Sequence, residues 1–323
     1  MKRTIPIILA LLLIVSIIAA LCFGAEFIPP LIIFEDLIHG KMSLKSEIIY
    51  EIRFPRVMAA LFAGAALSVS GAVFQSLFRN PLADPFITGV SGGASLGISV
   101  AVIFMLGPIL TVVSSFAGSI IAIVILYMLS FGNGFGGGIF ILSGVAMSFI
   151  FSSSVMLLFS IAESQNVHKA LIWMMGDLSS PDVVNRWIIF FIIFIIILLL
   201  WIYHRHINII SLGRSFSHSS GITDAELRII LILASILAAL TVILGGIIPF
   251  AGLMIPHIVR YFNGHDNETL IPFSAATGAI FLILCDTLSR SLIFPYEIPI
   301  GVITGFAGGI FFLFFVFKSR EVY

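Results

Sequence analysis

Long apolar runs separated by short polar stretches make up most of the chain. A bilayer core of about 30 Å takes about 20 apolar residues in a helix. Runs of that order recur at 5–24, 57–78, 86–106, 109–131, 139–162, 187–203, 228–248, 269–290 and 298–317. The stretch 227–264 is roughly 57 Å long as a single helix, too much for one crossing. Gly245, Gly246 and Pro249 break it and leave "FAGLMIPHIVRYF" (250–262) as a short helix of roughly 20 Å. Its free backbone ends require burial within protein. With that helix counted, the pattern predicts an all-α integral membrane protein of about ten transmembrane helices, forming one transmembrane domain over 1–323. The first run is expected to be an uncleaved span, because Ile5 to Phe23 is long for a signal-peptide core and Phe23-Gly24-Ala25 is a poor cleavage site.

Composition supports the membrane reading. The chain is 60% hydrophobic and 10% charged, whereas soluble domains carry about a quarter charged residues. Net charge is zero and no basic stripe is present, so nucleic acid is not an expected partner. Cys22 and Cys285 both lie in apolar runs, which supports neither a disulfide framework nor a cysteine zinc site; no metal and no cofactor are expected.

An even number of spans puts both termini on one side, taken as cytoplasmic. The basic residues then divide nine inside to seven outside, a weak vote under the positive-inside rule. A mixed-charge stretch, 25–56, falls outside, and a polar, glycine-punctuated stretch, 204–227, falls inside.

Several short patterns carry little chemistry. "GNGFGG" (132–137) joins two apolar runs rather than a strand and a helix, so a flexible turn is expected. "HGKMS" (39–43) lacks the upstream glycine of a phosphate loop, so the chain has no expected ATP site. "HRH" (204–206) reads as a solvated helix end. "GVSG" (89–92) resembles the nucleophile motif of intramembrane serine proteases, with His257 as the available base. That reading needs Ser91 and His257 within hydrogen-bond reach; the alternative is that small residues there let helices approach closely. Asp286 and Arg290 stand four apart, a favourable same-face pair. No apolar run has a carboxylate at its centre, which argues against an ion-coupled secondary transporter.

Three stretches resemble one family: 53–97, which includes "RNPLADP", 245–266 with "GLMIPHIVR", and 285–309 with "EIPIG". Their order and spacing are those of the FecCD-type permeases of ABC importers for ferric siderophores, haem and cobalamin. The resemblance implies a type II ABC-importer permease fold in the cell membrane and transport without catalysis by this chain. It also implies a second permease copy, identical or sister, two cytoplasmic ATPase subunits and an external substrate-binding protein. Arg53, Arg56 and Arg290 correspond to arginines that dock acidic residues of that binding protein. The ATPase-coupling segment maps onto Leu212, Gly213, Arg214, Ser217 and Gly221. There the family's usual "LGExxAxxLG" reads "LGRSFSHSSG", so the acid is replaced by Arg214. Ser143, Ser148, Ser152 and Thr304 fall on helices that line the family's pathway. Asn80, Pro81, Asp84, Pro85, Pro256, His257, Arg260, Asp286, Glu297 and Pro299 carry the structural motifs.

Overall fold

The computed structural model describes residues 4–24, 26–30, 44–131, 137–179, 185–293 and 296–320. Among them the fold is all α. Helix α1 is Ile5–Cys22. A short helical turn and a π-helical segment, Ile48–Arg53, lead without a break into α2, Phe54–Phe78. A 3₁₀ turn, Pro85–Thr88, precedes α3, Val90–Ile103. Then come α4 (Gly107–Phe131), α5 (Gly137–Ile161), α6 (Ser164–Met174) and α7 (Arg186–Ile202). The chain continues through α8 (His204–Ser211), α9 (Arg214–Ser219) and α10 (Asp224–Gly245). It closes with α11 (Ala251–Asn263), α12 (Asn267–Ser291) and α13 (Ile300–Arg320).

The number of crossings corrects the expected ten. Among the described residues six helices are long and apolar enough to span a bilayer, or seven if α7 and α8, bent by 57°, count as one span. The reason lies in breaks that apolar runs do not reveal. The run 86–106 spends its start on the 3₁₀ turn, and its α-helix has only 14 residues. The helix 251–263 has 13 residues. The break expected in 227–264 does occur: α10 ends at Gly245, Gly246 takes φ 71°, and Phe250 is left-handed at φ 66° before α11 begins.

Helix α2 is the axis of the packing. It lies against α10, α11 and α12, and most of its residues are buried. Small residues permit this. A Cβ on Gly64 would meet the Gly278 carbonyl, and one on Gly278 would meet the Ser68 side chain, so α2 and α12 touch backbone to backbone. Gly93 and Gly118 bring α3 and α4 together in the same way. Outward-facing α5, α7 and α13 instead expose large apolar side chains, among them Phe149, Phe191 and Phe314, as a lipid or subunit environment demands.

Candidate functional site

Two polar clusters sit at opposite ends of α2 and α12, roughly 34 Å apart along α2. The first gathers all three arginines expected at the outer mouth. Arg56, in the first turn of α2, donates from Nε to Asp286 Oδ1 and from Nη1 to Glu297 Oε2, each at 2.8 Å. Arg290 reaches the other oxygen of Asp286, with Nε 3.1 Å from Oδ2. Its Nη2 donates to the Ala20 carbonyl at 3.2 Å. Arg53 donates to the carbonyls of Leu21 (2.7 Å), Cys22 (2.8 Å) and Glu26 (2.5 Å). Helix α1 therefore ends on two guanidiniums that satisfy its last carbonyls, as cations at a helix C-terminus do.

These arginines are buried: Arg53, Arg56 and Arg290 are 5%, 5% and 7% exposed, and Asp286 is 1% exposed. Their side chains are occupied within the chain and do not project from its surface. Glu297 is the accessible member, its side chain 52% exposed. Pro299 follows it, and the Gly301 N–H donates to the Met175 carbonyl at 3.0 Å, tying the start of α13 to the end of α6. A cavity of about 110 Å³ between these segments is lined by Arg56, Asp177, Ser289 and Glu297 among others.

The second cluster forms around the turn after α2. Arg79 is left-handed (φ 50°, ψ 35°), and the Asn80 N–H donates back to the Gln75 carbonyl at 3.2 Å. Asn80 Oδ1 accepts from the Leu82 N–H, and Asp84 Oδ1 caps the 3₁₀ turn by accepting from the Phe86 N–H at 2.7 Å. Enclosure raises the Asp84 carboxyl to about 6, against the smaller lowering effect of that N–H. Pro85 packs on Gly252 of α11. Arg260 donates to Gln75 Oε1, to the Ala72 carbonyl at 2.8 Å and to Ser76 Oγ at 3.0 Å. "NPLADP" and "PHIVR" are thus two halves of one junction between α2 and α11.

The expected coupling segment falls on α8, α9 and the following turn. Gly213 has φ 125° and Gly221 has φ 83°, backbone that favours glycine. Leu212 is exposed, and Ser217 is buried. Residue 214 starts α9, and its side chain lies outside what the structure describes. His204 of "HRH" contacts the Trp201 carbonyl at 2.8 Å, and His206 lies 3.4 Å from Glu226. "HGKMS" and 132–136 of "GNGFGG" lie outside the described residues.

The pathway serines do not form a common polar wall within the single chain. Ser148 donates to the Gly144 carbonyl of its own helix at 2.9 Å, Ser152 is exposed and Ser143 half-buried. Thr304 is fully buried and donates to the Gly301 carbonyl at 3.3 Å. Pro256 sits buried inside α11. His257 packs edge-on against Phe315, ring centroids 4.5 Å apart, and near Phe311 at 6.1 Å. Ser91, at the start of α3, accepts a hydrogen bond at its carbonyl from Ser95. No hydrogen bond joins Ser91 and His257 among the described residues, so the geometry offers no activated nucleophile.

Sequence reasoning missed the capping of α1 by Arg53 and Arg290, which joins partners 32 and 270 positions apart. Only the Asp286–Arg290 spacing carried a hint. It also missed the Arg260–Gln75 contact, for which the sequence holds no local signal.

An all-α multi-pass membrane permease, with transport rather than catalysis as its work, is the class defined by this architecture. The FecCD transport family profile matches residues 12–318. The chain belongs to the FecCD transport family. It is 36% identical to the hemin transport system permease protein HmuU of Yersinia pestis over 279 residues, covering 84% of this chain and 83% of that one. It is 34% identical to the vitamin B12 import system permease protein BtuC of Citrobacter koseri over 320 residues, covering 97% and 94%. Its fold is similar to that of a solved inward-facing metal-chelate type ABC transporter, with TM-score 0.85, 28% identity, and coverage of 98% of this chain and 100% of that one.

Proposed function

We propose that this chain is the membrane permease of an ATP-driven importer that moves an iron chelate or cobalamin delivered by an external binding protein. Membership of the FecCD family over 12–318 is the observation that carries this reading. Relatives named for hemin, vitamin B12 and iron(3+)-hydroxamate import support the substrate class. A multi-pass protein of this kind works in the cell membrane, as one of two permease copies seated on two cytoplasmic ATPases, with both of its own termini on the ATPase side.

The roles divide between the two ends of α2. The turn 79–89 and the segment 204–221 serve the ATPase side, with Leu212, Gly213, Arg214, Ser217 and Gly221 at the coupling contact. The opposite end serves the binding protein. Arg53, Arg56 and Arg290 gather there around Asp286 and Glu297, a local concentration of guanidinium groups that can orient an acidic partner. Arg56 is the most direct docking group, because its Nη1 partner Glu297 is half exposed and replaceable by a partner's carboxylate. Arg53 and Arg290 contribute through the shape and field of the mouth. Ser143, Ser148, Ser152 and Thr304 belong to a pathway that a second copy completes, with few strong sites, as suits a bulky cargo that must be released.

The test is transport by the assembled system in proteoliposomes, with binding proteins loaded in turn with a ferric siderophore, haem and cobalamin. ATP-dependent accumulation of one of them supports the reading. Accumulation of none, with a folded and ATP-hydrolysing complex, removes it.

A further inference from the structure

The junction at the C-terminal end of α2 encloses a cavity of about 280 Å³ lined by Gln75, Ser76, Arg79, Pro81, Ser211, Arg260 and His265. That is close to the lower limit of small-molecule sites. Among the described residues its wall contains two arginines and a histidine and no carboxylate. Among the described residues Arg260 is bound to neutral oxygens, those of Gln75, Ala72 and Ser76. Arg79 forms no ion pair among the described residues, and its guanidinium is exposed beside Gly213. Asp266, next to His265 in the chain, accepts instead from Asn208 at 2.8 Å and from the Glu268 N–H at 3.1 Å. The hydroxyls of Ser76 and Ser211 donate to the Ala72 and Asn208 carbonyls.

The backbone of Arg79 adds an independent observation. It occupies the left-handed position that ends a helix, where glycine is the usual residue. A side chain there carries a conformational cost, and such outliers point towards function when the side chain does something glycine would not. Attraction to the C-terminal dipole of α2 is one compensation. It does not account for a second arginine and a histidine on the same cavity.

We infer that this cavity is an anion site for a phosphate group, supplied either by the headgroup of an anionic phospholipid or by free phosphate. The site lies where α2 ends and α12 begins, the level at which a headgroup meets these spans. Arg79 and Arg260 are the charge-assisted donors, the former movable and the latter fixed by its three oxygens. Occupation would hold Arg79 against Gly213 and so stiffen the turn between α8 and α9. This role is separate from whatever cargo the permease carries.

The experiment uses the full chain in a neutral detergent and the variant Arg79→Gly, which suits the left-handed backbone and so keeps the fold. Thermal unfolding is followed while inorganic phosphate replaces chloride at constant ionic strength. A parallel arm titrates short-chain phosphatidylglycerol against phosphatidylcholine. The expected result is a rise in the wild-type transition with at least one of the two anions. Arg79→Gly should start at an equal or higher transition and bind that anion roughly ten- to a hundredfold more weakly. A response to phosphatidylglycerol alone assigns the headgroup, and a response to inorganic phosphate assigns the free ion. Identical responses of wild type and variant overturn the site. So does silence in both arms, and weaker ATPase association of the variant would then give the cavity to a protein carboxylate.

Discussion

Arg56 Nε and Asp286 Oδ1 lie 2.8 Å apart and join residues 230 positions distant in the chain, the first turn of α2 to the last turns of α12. The same carboxylate faces Arg290 through its other oxygen at 3.1 Å. One aspartate therefore bridges two buried guanidiniums at the end of the helix pair on which the fold is centred.

Removing that aspartate leaves the buried Arg290 without its carboxylate and Arg56 with Glu297 alone. Breaking a buried pair by deleting one partner costs about 3–5 kcal/mol. Asp286→Ala is expected to lower the thermal transition of the detergent-solubilised protein strongly. A transition unchanged within error would mean that Asp286 does not compensate the buried arginines.

Glu297 is the exposed arm of the same network, and its loss has a different signature. Glu297→Gln keeps an oxygen for Arg56 but removes the charge, so stability should change by about 1 kcal/mol or less. Association with an acidic binding protein should become faster, and more so at low salt. Stopped-flow binding at two ionic strengths reads this, and a slower or salt-insensitive association argues against an electrostatic mouth.

The contact between Gly64 and Gly278 sets how closely α2 and α12 approach. A Cβ at either position meets backbone or the base of a side chain, which has little room to yield. Gly64→Val is expected to cost more than the about 1–3 kcal/mol typical of overpacking, and to appear as lost folded yield in membranes. Normal yield and a normal melting transition would show that the helices separate cheaply.

Asp84 predicts a pH dependence. Its carboxyl is raised from 3.8 to about 6, so between those values the folded form binds more protons than the unfolded form. Stability therefore falls as pH rises through that window and is lowest above it. Asp84→Asn keeps the oxygen that accepts from the Phe86 N–H and removes the titration. Thermal transitions between pH 4 and pH 7 should show a smaller slope for Asp84→Asn than for wild type, and equal slopes would contradict the assignment.

Much of this molecule is legible in its sequence, for reasons particular to certain residues. "RNPLADP" and "PHIVR" identify the family because they form one junction: Pro85 packs on Gly252, and Arg260 binds Gln75. The break between α10 and α11 is written in Gly245, Gly246 and Pro249. The number of crossings was not legible, because an apolar run does not record where Gly89 and the 3₁₀ turn shorten α3. The environment of Arg53, Arg56 and Arg290 was hidden for another reason. Apart from Asp286, four positions from Arg290, their partners lie 32, 230 and 270 positions away, and a charge count assigns such residues to the surface when they close the fold instead.

On the function proposed above, this permease moves cargo only when ATP is hydrolysed on partner subunits. The most direct measurement is ATP-dependent uptake into proteoliposomes containing this chain with its ATPase, compared with vesicles in which that ATPase lacks its catalytic base. Accumulation is expected in the first and none in the second. Equal accumulation in both, collapsing when an ion gradient is dissipated, would contradict it.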